Sequence, residues 1–105
     1  MEHFSATKVV IITEKLIVPK VAELIKAAGA SGYTITPAGG MGSRGIRSTN
    51  RAAVVDEFSN VKIEVITHRA DTANRISDEV AETFFENYSG ITYLEEVKIL
   101  RPHKF

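Results

Sequence analysis

A chain of 105 residues is the size of one domain, long enough to bury roughly 60–70% of the surface its unfolded form exposes. Its 13 Lys+Arg balance 13 Asp+Glu, which excludes the clearly basic surface that binding to a nucleic-acid polyanion usually requires. With no cysteine, disulfides and thiolate metal sites are excluded as well. The first residues, Met1-Glu-His-Phe-Ser-Ala6, lack a basic and apolar leader pattern, and the longest apolar runs fall far short of a membrane span. The expectation is a single domain, 1–105, that is cytoplasmic and does not insert directly into a membrane.

Thr7-Lys-Val-Val-Ile-Ile-Thr13 is a β-branched run whose near-continuous apolar character predicts a central strand. Helical spacing follows: Ile17, Val21, Leu24, Ile25 and Ala28, with Pro19 acceptable in the first turn and Gly29 as the stop. Tyr33-Thr-Ile-Thr36 reads as a second strand ended by Pro37. Val61-Lys-Ile-Glu-Val-Ile-Thr67 alternates as a third strand, with Lys62 and Glu64 on its wet face. Asp71 is placed to cap a second helix, whose Ala73, Ile76, Val80 and Phe84 form a buried stripe. Ser89-Gly90 breaks that helix, and residues 91–100 form a fourth strand.

The order is βαββαβ, a ferredoxin-like α+β arrangement with a four-stranded antiparallel sheet and two helices on one face. Both faces of the first strand are apolar, since Val9 and Ile11 alternate with Val10 and Ile12. The helices cover one face, so the other is expected to be buried against further copies of the chain.

Between strands 2 and 3, from about 38 to 60, neither period is sustained, and a segment of that length in so small a domain is usually functional or disordered. It opens with Ala38-Gly-Gly-Met-Gly-Ser-Arg-Gly-Ile-Arg-Ser-Thr-Asn50, which holds four of the seven glycines and is followed by Arg51. Glycine lets main-chain N–H groups approach an anion, and arginine supplies a planar donor fork suited to phosphate oxygens. We read it as a phosphate-binding turn opening into a long mobile loop; on composition alone, the same residues also suit an ordinary basic loop.

Gly29-Ala-Ser-Gly-Tyr-Thr-Ile35 leading into Gly40-Met-Gly-Ser-Arg-Gly45 resembles the second strand and T-loop entry of PII signalling proteins. The likeness runs along the whole chain, from Lys8-Val-Val-Ile-Ile-Thr-Glu-Lys15 to Glu95-Glu-Val-Lys-Ile-Leu100. It is most similar to the SbtB-type PII-like branch, through Gly-Gly-x-Gly-Ser-Arg-x-x-Arg-Ser at 39–48 and Tyr-x-Gly-Ile at 88–91. That resemblance implies a homotrimer with adenine nucleotides (cAMP, AMP, ADP or ATP) in the clefts between subunits, and it leaves open a divalent cation accompanying ATP. It also implies regulation of a sodium-dependent bicarbonate transporter, SbtA, in cyanobacterial carbon concentration, so the protein would reach the membrane only through that partner.

Departures from the archetypal PII pattern narrow the expectation. Ser43-Arg44 stands where Arg-Gln helps hold magnesium and 2-oxoglutarate, and Asn87-Tyr-Ser-Gly-Ile91 replaces Gly-Asp-Gly-Lys. No tyrosine lies between Ala38 and Ser59, which argues against tyrosine nucleotidylation of the loop. The Cys-Gly-rich tail of some SbtB proteins does not follow Pro102.

The residue chemistry agrees with the implied site. Main-chain N–H groups at Gly39, Gly40 and Gly42 would converge on phosphate, Ser43 would donate a hydroxyl, and Arg44 and Arg47 would neutralise charge. Gly90 and Ile91, from across a subunit boundary, would supply main-chain contacts and an apolar wall for the base. Gly90 read locally is equally a plain helix stop. Arg51 and Arg69 read as solvated charges, and His3, His68 and His103 lack metal-ligand spacing, so no metal site is expected. Glu95 and Glu96 point to opposite faces of their strand, which prevents joint acid–base work.

Three functions compete. A nucleotide-sensing regulator fits the residues above. A nucleotide-hydrolysing enzyme (a diphosphohydrolase acting on ATP or ADP) would need a general base beside Arg44, which the sequence does not offer. An RNA-binding module would need aromatics on the central strands, and Lys8–Thr13 and Val61–Thr67 contain none. We take the regulator, not an enzyme, as the expectation.

Overall fold

The computed structural model describes residues 1–40 and 59–101. Strand β1 (Phe4–Glu14) leads through a 3-10 turn (Lys15–Ile17) into helix α1 (Val18–Ala27) and then strand β2 (Thr34–Ala38). Strand β3 (Asn60–Thr67), helix α2 (Ala70–Phe84) and strand β4 (Gly90–Ile99) follow. The sheet order is β2-β3-β1-β4, with every pairing antiparallel, and both helices lie on one face, as the ferredoxin-like order predicts.

Alternation along the strands sorts the core. Val9 and Ile11 of β1 join Val61, Ile63 and Val65 of β3 on the helix side. Against them pack Ile17, Val21 and Ile25 of the first helical segment and Ala73, Ile76, Val80 and Phe84 of α2. Each fully buried aliphatic of this set stabilises the fold by about 1.5–3 kcal/mol. Gly29 ends the first helical region with φ 98°, a left-handed C-terminal turn that glycine adopts without a Cβ penalty.

Four local expectations are corrected. Strand β2 does not end at Pro37 but runs through it to Ala38, with Pro37 opposite Val61 on an edge strand that tolerates proline. Strand β1 starts at Phe4 rather than Thr7, because the long β4 continues to pair with it out to Phe4↔Ile99. Asp71 is not the cap of α2: Arg69 holds that position with no side-chain capping bond, and Asp71 lies in the first turn, where it pairs with Arg69 at 2.9 Å and suits the positive end of the helix dipole. The second helix ends at Phe84, well before Ser89-Gly90, in a turn where the amides of Asn87 and Tyr88 both donate to the Phe84 carbonyl.

The helix-free face is less bare than a doubly apolar β1 suggests. Val10, flanked in register by Glu64 and Tyr93, is fully buried within one copy. Lys8 beside it contacts Glu64 at 3.1 Å and Glu95 at 3.2 Å. The exposed apolar surface lies instead toward β4 and the start of β1: Ile91 is 57% exposed, Tyr93 39% and Phe4 37%.

Candidate functional site

The register gathers four chain segments at one end of the sheet. Ala38 pairs with Asn60, Asn60 with Glu14, and Thr13 with Gly90. The exit of β2, the entry of β3, the exit of β1 and the entry of β4 therefore lie side by side. Gly39 and Gly40 follow directly on β2, while Gly90 and Ile91 open β4, and all four are exposed. Gly42, Ser43, Arg44 and Arg47 lie outside the described residues, as do Arg51 and the rest of segment 41–58.

β2 and β4 are the opposite edges of the sheet, three strand spacings or roughly 14 Å apart. Within one copy Gly39-Gly40 and Gly90-Ile91 thus share a level on opposite edges of the sheet. Two grooves are lined by the described residues. One groove of about 590 Å³ runs between α1 and the end of α2, past Lys20, Leu24, Phe84 and Tyr88. Another of about 360 Å³ lies under α1, against Ala22, Ile25, Ala30 and Tyr33. Neither includes a predicted site residue.

The two described halves differ in how glycine is used. Among the described residues, a Cβ at Gly40 would meet nothing within 4 Å. A Cβ at Gly90 would enter the ring of Phe85. The packing of Phe85 thus explains the glycine at 90 better than a helix stop does, since the helix has already ended.

Side chains that the sequence reading did not single out hold the segment before Gly90. The Thr13 hydroxyl, which is buried, donates to the Ser89 carbonyl at 2.7 Å, and the Glu14 carboxylate accepts from the Ser89 amide at 2.5 Å. These partners are 76 and 75 positions apart along the chain, so no local pattern announces them. One residue further, the Lys15 amide donates to the Ser59 carbonyl at 2.7 Å, tying the β1 exit to the residue that precedes β3.

Among the described residues the titratable group with a shifted pKa, Lys8, is remote from this end. The carboxylates of Glu64 and Glu95, hydrogen-bonded to the Lys8 ammonium, raise its pKa above the ordinary lysine value of 10.5. Among the described residues no cluster of acidic or histidine side chains has metal-ligand geometry, and His3 and His68 are exposed. No helix of the described residues is long and apolar enough to cross a membrane.

Comparison with known proteins gives the site its setting. The model of the family "nitrogen regulatory protein P-II" matches residues 6–104. A PII-like signalling protein from Thermus thermophilus is 38% identical, covers 100% of this chain and 99% of its own, and superposes with a TM-score of 0.79. CPII from Thiomonas intermedia, solved with ADP and bicarbonate, is 25% identical over 99% of this chain and 97% of its own, with a TM-score of 0.79. Its apo form, 20% identical over 93% of this chain and 95% of its own, shares the fold at a TM-score of 0.72. The chain belongs to the PII family.

Proposed function

We propose that this protein is an SbtB-type PII-like regulator that binds adenine nucleotides between the subunits of a homotrimer and controls a sodium-dependent bicarbonate transporter, SbtA. The observation that carries the reading is the shared sheet end. Gly39-Gly40 and Gly90-Ile91 sit at one level on opposite edge strands, so the edge of one copy laid beside the opposite edge of the next closes a site that one copy leaves open. The full-length likeness to CPII, which was solved with ADP and bicarbonate, supports both the nucleotide and the link to inorganic carbon.

In this site the N–H groups of Gly39, Gly40 and Gly42 and the side chains of Ser43, Arg44 and Arg47 take the phosphates. Gly90 and Ile91 of the neighbouring copy take the base. The candidate ligands are cAMP, AMP, ADP and ATP, the last with or without a divalent cation. The loop at 38–60 carries the signal to the transporter, by adopting different order with different nucleotides; a ligand shifts it only by its differential affinity for the two states.

Calorimetric titration with the four nucleotides tests the reading. At least one should bind with one site per chain, and Arg47→Ala should weaken it about thirtyfold, the loss of one charged contact. Absence of heat with all four would overturn the reading. Unchanged affinity in Arg47→Ala would remove that residue from the site.

A further inference from the structure

We propose that Glu14 is a positioning residue that fixes the main chain of Ser89, Gly90 and Ile91 at the height a bound nucleotide requires. The proposal rests on the nucleotide reading above and adds a residue to it. Ser89 lies in the connection between α2 and β4, just before strand pairing begins at Gly90. Its N–H and C=O are both taken by side chains of consecutive residues at the exit of β1: Glu14 accepts from the N–H at 2.5 Å, and Thr13 donates to the C=O at 2.7 Å.

Consecutive strand residues point to opposite faces of a sheet. Thr13 continues the helix-side row of Val9 and Ile11, and Glu14 continues the row of Val10 and Ile12. Ser89 is therefore gripped from both sides of β1, which fixes its displacement normal to the sheet and the rotation of its peptide groups. The Phe85 ring packed over Gly90 removes the remaining freedom on one side. Ile91, 57% exposed, is then held at the edge with its side chain presented outward. Pre-ordering of this kind lowers the entropy lost when a ligand docks against the segment.

The hydrogen bond needs an acceptor at position 14 but not a negative charge, and this separates positioning from a general electrostatic effect. Glu14→Ala removes the acceptor, whereas Glu14→Gln keeps an oxygen within reach of the Ser89 N–H. Two measurements test the proposal: calorimetric titration with ADP, and amide hydrogen exchange at Ser89 in the ligand-free protein. Glu14→Ala should speed exchange at Ser89 and weaken ADP about tenfold, while Glu14→Gln stays within about threefold of the parent in both. Thr13→Val, which breaks the other half of the grip and keeps the carboxylate, should weaken ADP to a similar degree. If the parent binds ADP and Glu14→Ala binds it equally well, the positioning role is overturned and the nucleotide reading stands. Equal weakening by Ala and Gln would also overturn it. Absence of adenine-nucleotide binding by the parent would overturn the nucleotide reading, and the positioning role with it.

Discussion

The aromatic ring of Phe85 lies against the α-carbon of Gly90 so closely that no side chain fits between them. Phe85 closes helix α2 and Gly90 opens strand β4, so this contact ties the end of the helix to the start of the strand. Gly90→Ala should destabilise the protein by about 1–3 kcal/mol, the usual cost of overpacking. Phe85→Leu, being smaller and more adjustable, should recover part of that loss when combined with it. Urea denaturation of the single and double variants checks this, and strict additivity of the two costs would count against the contact as its cause.

Ile76 is the second test of packing. It is fully buried in the middle of α2 against the sheet. Ile76→Ala should cost about 2–5 kcal/mol, whereas Arg75→Ala, which loses an exposed ion pair with Glu79, should cost under about 1 kcal/mol. Comparing the two urea midpoints tests the assignment of the buried stripe.

Lys8 predicts an alkaline effect. Its pKa is raised in the folded state by hydrogen bonds to Glu64 and Glu95, so its contribution is complete below the ordinary lysine value of 10.5. It is lost as pH rises through the higher folded value. Stability followed from about pH 9 to about pH 12 should show this decline beyond that of the rest of the chain, and Lys8→Met should remove that component. A Lys8→Met profile parallel to that of the parent would show that the pair contributes nothing.

The proposed assembly predicts a solution mass of three times the 11.5 kDa chain by light scattering at micromolar concentration. Tyr93→Glu, which places a charge on the exposed apolar part of the helix-free face, should shift the mass toward a single chain. A monomer mass for the parent would refute the trimer.

Ser43-Arg44 in place of Arg-Gln predicts that 2-oxoglutarate does not bind, with or without nucleotide and divalent cation. A saturable calorimetric signal with 2-oxoglutarate would reverse this.

The core was legible because it is local: Val21 and Ile25, or Ile76 and Val80, keep a period that only a helix satisfies, and Val61, Ile63 and Val65 keep one that only a strand satisfies. Element ends were less legible. Phe4 and Ser5 became strand through pairing with Ile99 and Lys98, and Asp71 lost the cap position to Arg69, because both outcomes depend on where distant or neighbouring chain is placed. At the candidate site, Gly39-Gly40 and Gly90-Ile91 were proposed from composition and likeness, and the strand register sets them at one level. The grip of Thr13 and Glu14 on Ser89 was not legible, since side chains at 13 and 14 carry no mark of a partner so far along the chain.

The residues flanking segment 41–58 are joined to each other by contacts that involve none of its side chains. Ala38 pairs with Asn60, and the Lys15 amide holds the Ser59 carbonyl. A loop closed at a fixed neck costs entropy that grows only with the logarithm of its length, about 0.6 kcal/mol for a doubling. Segments of other lengths and compositions can therefore be exchanged between Gly40 and Ser59 with little penalty to the scaffold. The segment can thus be rewritten without rebuilding the contacts that hold its two ends together.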